Sequence, residues 1–285
     1  MQTLQQLRKR MNSAGALRSI ISSQKAVSAA ALSGYERASA SITSSVEVIE
    51  QALQVVVMPS ESTIQTPDDK TTTSIKIIIG SDLGLVGRFN RSLASLFISE
   101  RKLHDRVIAL GRNMAASLVS QGIALDHEIA MPGSPQGIAE ATAEIFETVG
   151  TITPTTRLEV FFNKRSGALW EHSKRLVAPI TEEYLASLYT RKWPTKSTPG
   201  FSQNAPREEM IYQLIIELAV ANVSLALSHS LAAEQMARLV TTQNAEKNID
   251  EKIESMTLEY QQRRQAEITE ELIDVLNGAA AANSA

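Results

Sequence analysis

The chain of 285 residues contains no cysteine, which excludes disulfide bonds, thiol catalysis and cysteine-ligated zinc. No excess of one charge sign is present either. The 28 Lys and Arg residues against 31 Asp and Glu residues leave a net charge of −3, so nothing draws the chain towards nucleic acid or an anionic bilayer. Four histidines are scattered without the spacing of zinc ligands on one helix face, and we expect no metal site: His104, His127, His172 and His229.

Long hydrophobic runs are also missing from the sequence. No uninterrupted apolar run approaches the roughly 18 residues of a membrane span, and the N-terminus lacks the apolar segment of a secretion signal. From this we expect a cytoplasmic protein that does not span a membrane.

Proline is absent from two long stretches, residues 2–58 and 207–277. As single helices they would span about 85 and 105 Å, far more than the ~30 Å that a small domain buries. Residues 1–40 carry six basic residues and one acidic residue, whereas residues 207–285 carry six basic and thirteen acidic residues. Opposite charge favours the two helices lying side by side, so the sequence predicts a shaft built as a long antiparallel coiled coil.

The N-terminal stretch has the apolar repeat of a coiled coil. A step of seven meets an apolar residue at seven of eight positions: Leu7, Ala14, Ile21, Ser28, Tyr35, Ile42, Ile49 and Val56. A companion row that begins at Leu4 turns polar at Arg18, Lys25 and Ser39. We therefore expect a continuous seam with a charged interruption.

The middle of the chain changes to an alternation of strands and helices. Short β-branched runs predict strands near residues 74–80, 106–111, 127–131, 157–164 and 174–180, and helices are predicted at 90–99, 113–120 and 138–148. Alternation of this kind predicts a Rossmann-like α/β domain with a mostly parallel sheet. The predicted organisation is an N-terminal coiled-coil helix (1–58), a linker (59–73), the α/β domain (74–190), a second linker (191–206) and a C-terminal coiled-coil helix (207–285).

One loop resembles a phosphate cradle. The segment SDLGLVGRFN, residues 81–90, follows a strand, precedes a helix and lies next to Gly80, with Gly84 and Gly87 inside it. It lacks both the Walker lysine spacing and the GxGxxG spacing, so the sequence favours a structural turn and no cofactor.

Strings at both ends, with this loop, make the chain resemble the gamma subunit of F-type ATP synthases over essentially its whole length. The string SLAAEQMARLVTTQNAEKN, followed by RQAEITEELIDVLNGAAA, is similar to the family's SLASE and RQA.IT.EL patterns. SDLGLVGRFN is similar to SDRGLCGGFN, and RMNSAGALRSIISSQKAVSAAAL falls on the family's N-terminal segment with the same spacing. The sequences of the segments NIDEKIES and RSIISSQKAV favour the divergent branch often called N-ATPase. The lack of cysteine argues against the thiol-regulated chloroplast variety.

The resemblance implies a rotor shaft. Family members thread paired terminal helices through an α3β3 ring of α and β subunits, while the α/β domain binds the epsilon subunit and the c-ring, and catalysis lies in the β subunits rather than in gamma. It implies a peripheral position at the cytoplasmic face of the bacterial plasma membrane. It also implies contacts with the ring, by matching position, for Lys25, Arg238, Gln265, Thr269 and Glu271.

Two other functions fit parts of the pattern. A structural coiled-coil scaffold with an α/β head explains the seams and predicts self-association. A nucleotide-dependent α/β enzyme with helical arms needs phosphate chemistry near Gly84 and Gly87, and would bind ATP or NAD as an isolated chain.

Overall fold

The computed structural model describes residues 3–57, 73–153, 155–167, 169–196, 200 and 206–282. The predicted linker at 59–73 lies outside the described residues except for Thr73, and the linker at 191–206 is described only in part. Along the chain the elements are helix α1 Leu4–Val56, strand β1 Thr73–Ile79, helix α2 Phe89–Glu100, strand β2 Arg106–Leu110, helix α3 Arg112–Val119, strand β3 His127–Ile129, helix α4 Ile138–Val149, strand β4 Thr156–Ser166, strand β5 Leu169–Ala178, helix α5 Glu182–Tyr189 and helix α6 Arg207–Ala282.

Two compact units can be distinguished. The first combines Met1–Val27 with Leu239–Ala285, and we call it the two-helix unit. The second covers Ser28–Arg238, and we call it the central unit. Both α1 and α6 contribute to each unit, because the boundaries fall inside these two helices.

In the two-helix unit, α1 and α6 run antiparallel. Arg18 pairs with Asp250 and Lys25 pairs with Glu246, so the position along α6 falls as the position along α1 rises. Leu7, Ile21 and Met256 are buried between the helices. The paired helices thus bury the apolar rows that the heptad pattern predicted.

The central unit is built on a five-stranded sheet with the order β3-β2-β1-β4-β5. Strands β1, β2, β3 and β4 pair in parallel, and β5 pairs antiparallel with β4 at one edge. The apolar runs account for this arrangement, since the central strands are covered on both faces and carry almost uninterrupted buried residues. The prediction of a mostly parallel sheet is confirmed.

One face of the sheet forms an apolar core with helices α2 and α3. Ile78, Phe161, Phe97 and Leu93 are fully buried there, and the rings of Phe97 and Phe161 meet edge to face at 5.2 Å between centroids. Another apolar cluster joins segments of α1, α5 and α6, and its buried members are Val46, Leu53, Val57, Ile180, Leu185, Leu188, Leu218 and Leu225. Ser39 and Ser228 are buried in the central unit and share a hydrogen bond of 3.0 Å between their hydroxyl groups.

Among the described residues, one helical stretch is long and apolar enough in composition to cross a membrane, within Arg207–Asn277. This stretch is apolar on average but is interrupted by polar and charged residues such as Glu217, Asn222 and Glu234, so the expectation of no uninterrupted apolar run still holds for α6. The core helix of a globular unit meets the same test, and the apolar part of α6 supplies buried core residues such as Leu218, Val223 and Leu227.

Candidate functional site

The loop Gly80–Asn90, which we call the glycine loop, is held as a structural turn. Asn90 donates to the Ser81 hydroxyl at 2.8 Å, and that hydroxyl donates to the carbonyl of Leu83 at 3.1 Å. A Cβ atom at Gly80 would lie 2.3 Å from the Met114 Cβ. Gly80 therefore lets the strand pass close against helix α3.

An internal carboxylate of the glycine loop is bonded to the start of the neighbouring helix α3. Asp82 accepts hydrogen bonds from the backbone N–H of Arg112, the first residue of α3, at 2.8 Å and from that of Met131 at 3.1 Å. Because these bonds fix the start of the loop to α3 and to Met131, the geometry supports the structural turn. Within the described residues, no group of three or more metal-binding side chains comes together.

Lys25 lies in the two-helix unit, where it forms an ion pair with Glu246 of α6. One helical turn further along α6, Asp250 accepts two hydrogen bonds from the Arg18 guanidinium. The hydrogen bond from Lys25 is the main cause that lowers the pKa of Glu246, and its charge and that of Arg18 act in the same direction against desolvation. The charged interruption of the α1 seam is thus matched by acidic residues of α6, which sequence reasoning predicted in sign but not by residue.

Arg238 lies in the central unit and is 3% exposed. Its guanidinium donates to the Glu234 carboxylate at 2.6 Å, to the Gln235 side chain at 3.2 Å and to the carbonyl of Gly84 at 3.3 Å. These bonds connect α6 to the glycine loop. In this structure Arg238 is buried inside its own chain, and a contact with a second subunit would require it to turn outwards.

Glu234 has an unusual pKa. Burial is the largest cause and raises the pKa of this carboxyl group to about 7, with Asp82 acting in the same direction and Arg238 opposing both. The spacing of Glu234 and Arg238, one helical turn apart, was available in the sequence as a signal for an ion pair.

Gln265, Thr269 and Glu271 lie on the last part of α6 in the two-helix unit, and all three are exposed. Gln265 and Thr269 share a face, and the Thr269 hydroxyl donates to the carbonyl of Gln265 at 2.8 Å. Glu271 follows Thr269 by two residues, which places it about 200° around the helix. The three residues therefore present polar groups on opposite sides of α6 and form no single cluster.

Exposed apolar side chains accompany these polar groups. From Arg264 to Asn277 every side chain is exposed. We call the apolar members of this segment the apolar tip, and their exposed fractions run from 46% to 69%: Ile268, Leu272, Ile273, Val275 and Leu276. So many exposed apolar groups on one short segment are typical of a surface that contacts another protein.

Comparison with known proteins gives a consistent result along the whole chain. The family profile described as ATP synthase matches residues 3–282. The ATP synthase gamma chain of Herpetosiphon aurantiacus is 26% identical over 232 residues, covering 76% of each chain, and that of Levilactobacillus brevis is 24% identical over 311 aligned positions, covering 99% of each.

A solved structure shares the fold. A chain of the Euglena gracilis mitochondrial ATP synthase, in its OSCP/F1/c-ring assembly, superposes with a TM-score of 0.70 at 15% identity, covering 98% of this chain and 94% of that one. Taken with the profile match and the paired terminal helices, these likenesses show that the chain belongs to the ATP synthase gamma family, the family of the central-stalk rotor subunit.

Proposed function

We propose that this chain couples ion flow through a membrane sector to conformational cycling of the catalytic β subunits in an F-type ATP synthase. The observation that carries the proposal is the end of α6, where the apolar tip and the polar residues Gln265, Thr269 and Glu271 are all exposed. Apolar side chains make few directional contacts, so such a tip suits rotation inside a surrounding sleeve of protein.

Coupling requires an asymmetric surface. Gln265 and Thr269 lie on one side of α6 and Glu271 on the other, so at any rotational angle a different polar group faces a given β subunit. A partner shifts a conformational equilibrium only by its differential affinity for the two states. Angle-dependent hydrogen bonds from these residues are a physical means by which the shaft biases each β subunit towards one nucleotide state.

The finer assignments follow from this role. The chain itself carries no catalysis, its partners are the α and β subunits of the α3β3 ring, the epsilon subunit and the c-ring, and the complex lies at the cytoplasmic face of the bacterial plasma membrane. The paired charges Lys25 and Glu246 support a shaft that transmits torque as one body.

The test replaces Thr269 and Glu271 together with Ala in the assembled complex and measures ATP-driven ion pumping against ATP hydrolysis. We expect pumping per ATP to fall while the complex stays assembled. The control variant replaces Thr257 and Glu254 with Ala. These residues have the same chemistry on an earlier part of α6, where the Thr257 hydroxyl likewise donates to the carbonyl four residues before it. Undiminished pumping in the T269A/E271A complex would contradict the coupling role of these side chains.

A further inference from the structure

A cleft in the central unit lies between α1, β5 and α6. Its volume is about 580 Å³, and we call it the Arg175 cleft. The polar groups that face it come from several elements and include Thr43, Glu50, Arg175, Tyr184 and Asn222. A concave site of this size, with an apolar lining and a few converging polar groups, is typical of small-molecule sites.

Arg175 has hydrogen-bond donors in the cleft that are available to a ligand. Its guanidinium donates to the Asn222 side-chain oxygen at 2.7 Å, and among the described residues it forms no ion pair. A guanidinium has five N–H donors in a planar fork that fits an oxyanion through two parallel bonds. Desolvation lowers the pKa of Arg175, which the charges of Tyr184 and Glu50 partly oppose, so the cation lies in a poorly hydrated place.

The nearest carboxylate is committed to other donors. Glu50 is buried and accepts a hydrogen bond from the Tyr184 hydroxyl and an ion pair from Arg191. Lys174 also lines the cleft, and it pairs with Glu100 of α2. The positive charge of Arg175 therefore has an amide and no carboxylate as its direct partner.

Apolar side chains form part of the remaining wall, which also includes the exposed Glu47. Val46 of α1, Ile180 and the α6 residues Leu218 and Leu225 line the cleft, and all four belong to one buried cluster. An anion with a hydrocarbon body would satisfy both halves of the site, since its carboxylate would meet the fork and its chain would cover the apolar wall.

We infer that the Arg175 cleft binds a small amphiphilic carboxylate, of the class of medium-chain fatty acids, with the carboxylate on the Arg175 guanidinium. This site is separate from the coupling surface on α6 and goes beyond the rotor function. A docked acidic segment of another subunit is the competing occupant.

The experiment titrates the full-length chain with sodium octanoate by isothermal calorimetry, with inorganic phosphate as a second probe. We expect saturable one-to-one binding of octanoate and much weaker binding of phosphate, which lacks the hydrocarbon body. Arg175→Gln should weaken octanoate binding by at least about tenfold, because it removes a charge-assisted pair of hydrogen bonds. Arg91→Gln changes the same charge at an exposed position on α2 and should leave binding unchanged.

A second variant keeps the charge and fills the cleft. Thr43→Phe leaves Arg175 intact and should abolish octanoate binding by occupying the space. Circular dichroism and the melting temperature would confirm that each variant is folded, and a folded T43F chain that still binds octanoate as tightly as the parent overturns the proposal. Absence of saturable octanoate binding to the parent chain overturns it as well.

The assembled complex separates the two occupants. If the small molecule is the occupant, octanoate binds the complex and the free chain with similar affinity, and R175Q weakens both. If the free chain binds octanoate and the assembled complex does not, another subunit covers the cleft, and the small-molecule site is contradicted. Neither result depends on ion pumping, so this test can fail while the rotor function stands.

Discussion

Lys25 of α1 and Glu246 of α6 form an ion pair in the two-helix unit, with the lysine side chain one-third exposed and the glutamate side chain half as exposed. The resemblance to the gamma family predicts that the same lysine contacts the α3β3 ring. Its role could therefore be to hold the two helices together or to contact the ring. Exchanging the charges of Lys25 and Glu246 distinguishes these two roles.

A charge exchange tests the role of Lys25. Lys25→Glu places two carboxylates together and should lower the urea midpoint of the chain, because like charges replace an ion pair. The double variant K25E/E246K restores the pair with reversed sign and should recover the midpoint. If pumping also recovers in the double variant, the lysine acts through the pair.

The opposite pumping result has an equally definite meaning. Should the K25E/E246K complex be as stable as the parent but fail to pump, the positive charge itself contacts the ring. Arg18 and Asp250 provide the control exchange one turn along α6, with the same chemistry at a more exposed place.

The apolar tip gives a second prediction. Leu272→Glu and Leu276→Glu together should leave the free energy of unfolding of the isolated chain within about 0.5 kcal/mol, since both side chains are exposed. The same change should strongly reduce assembly with the ring or the rate of ATP hydrolysis, because charges would enter an apolar sleeve. Glu270→Gln with Asp274→Asn is the control on the same turns. Normal assembly and hydrolysis of the L272E/L276E complex would contradict the sleeve.

The periodic parts of the fold could be predicted from the sequence. Each of the eight positions spaced seven residues apart, from Leu7 to Val56, is buried or half-buried. A heptad pattern fixes which face of the helix meets its partner. The predicted strands match β1 to β5 apart from their ends, although the run near 174–180 proves to be the second half of β5, paired antiparallel with β4. Pairing direction depends on the short turn at Gly167, which a strand pattern alone does not reveal.

Other features could not be predicted because they depend on neighbours distant in sequence. Helix α5 was not predicted, although its Thr181 cap is a local signal for its start. Arg238 was predicted as a ring contact, and its burial depends on the carbonyl of Gly84, far away in the chain. The contacts of Lys25, Arg238, Gln265, Thr269 and Glu271 with other subunits, and the N-ATPase branch, stay predictions.

Two glycines of the same loop should respond differently to alanine. Gly80→Ala would place a Cβ 2.3 Å from the Met114 Cβ and should cost about 1–3 kcal/mol of stability, as overpacking does. At Gly84 no heavy atom lies within 4 Å of an added Cβ among the described residues, so Gly84→Ala should change stability by less than about 1 kcal/mol. Chemical denaturation of the three chains measures both. Equal effects at the two positions would show that the loop is not held against α3 as described.

Glu234 predicts a specific dependence of stability on pH. Its carboxyl group has a pKa of 4.5 in the reference state and about 7 in the fold, so between these values the folded chain holds a proton that the unfolded chain has released. The contribution of Glu234 to the free energy of unfolding therefore falls as pH rises from about 4.5 to about 7, by about 1.4 kcal/mol for each unit of the shift. Burial lowers the pKa of His229 to about 4, and this group contributes a rise in stability over a similar pH range. Glu234→Gln has no such proton, and its stability should lack this component of the slope.

The slope is the useful measurement, because the glutamine variant also changes the partner of Arg238 and thereby shifts stability at every pH. Urea unfolding at intervals from pH 4.5 to pH 8 gives the slope for the parent, for E234Q and for the exposed control Glu254→Gln. We expect the control to follow the parent, and the stability of E234Q to rise more, or fall less, than that of the parent as pH rises. A parent and an E234Q chain with the same slope would mean that Glu234 is ionised throughout this range, and that Arg238 outweighs burial in setting its charge.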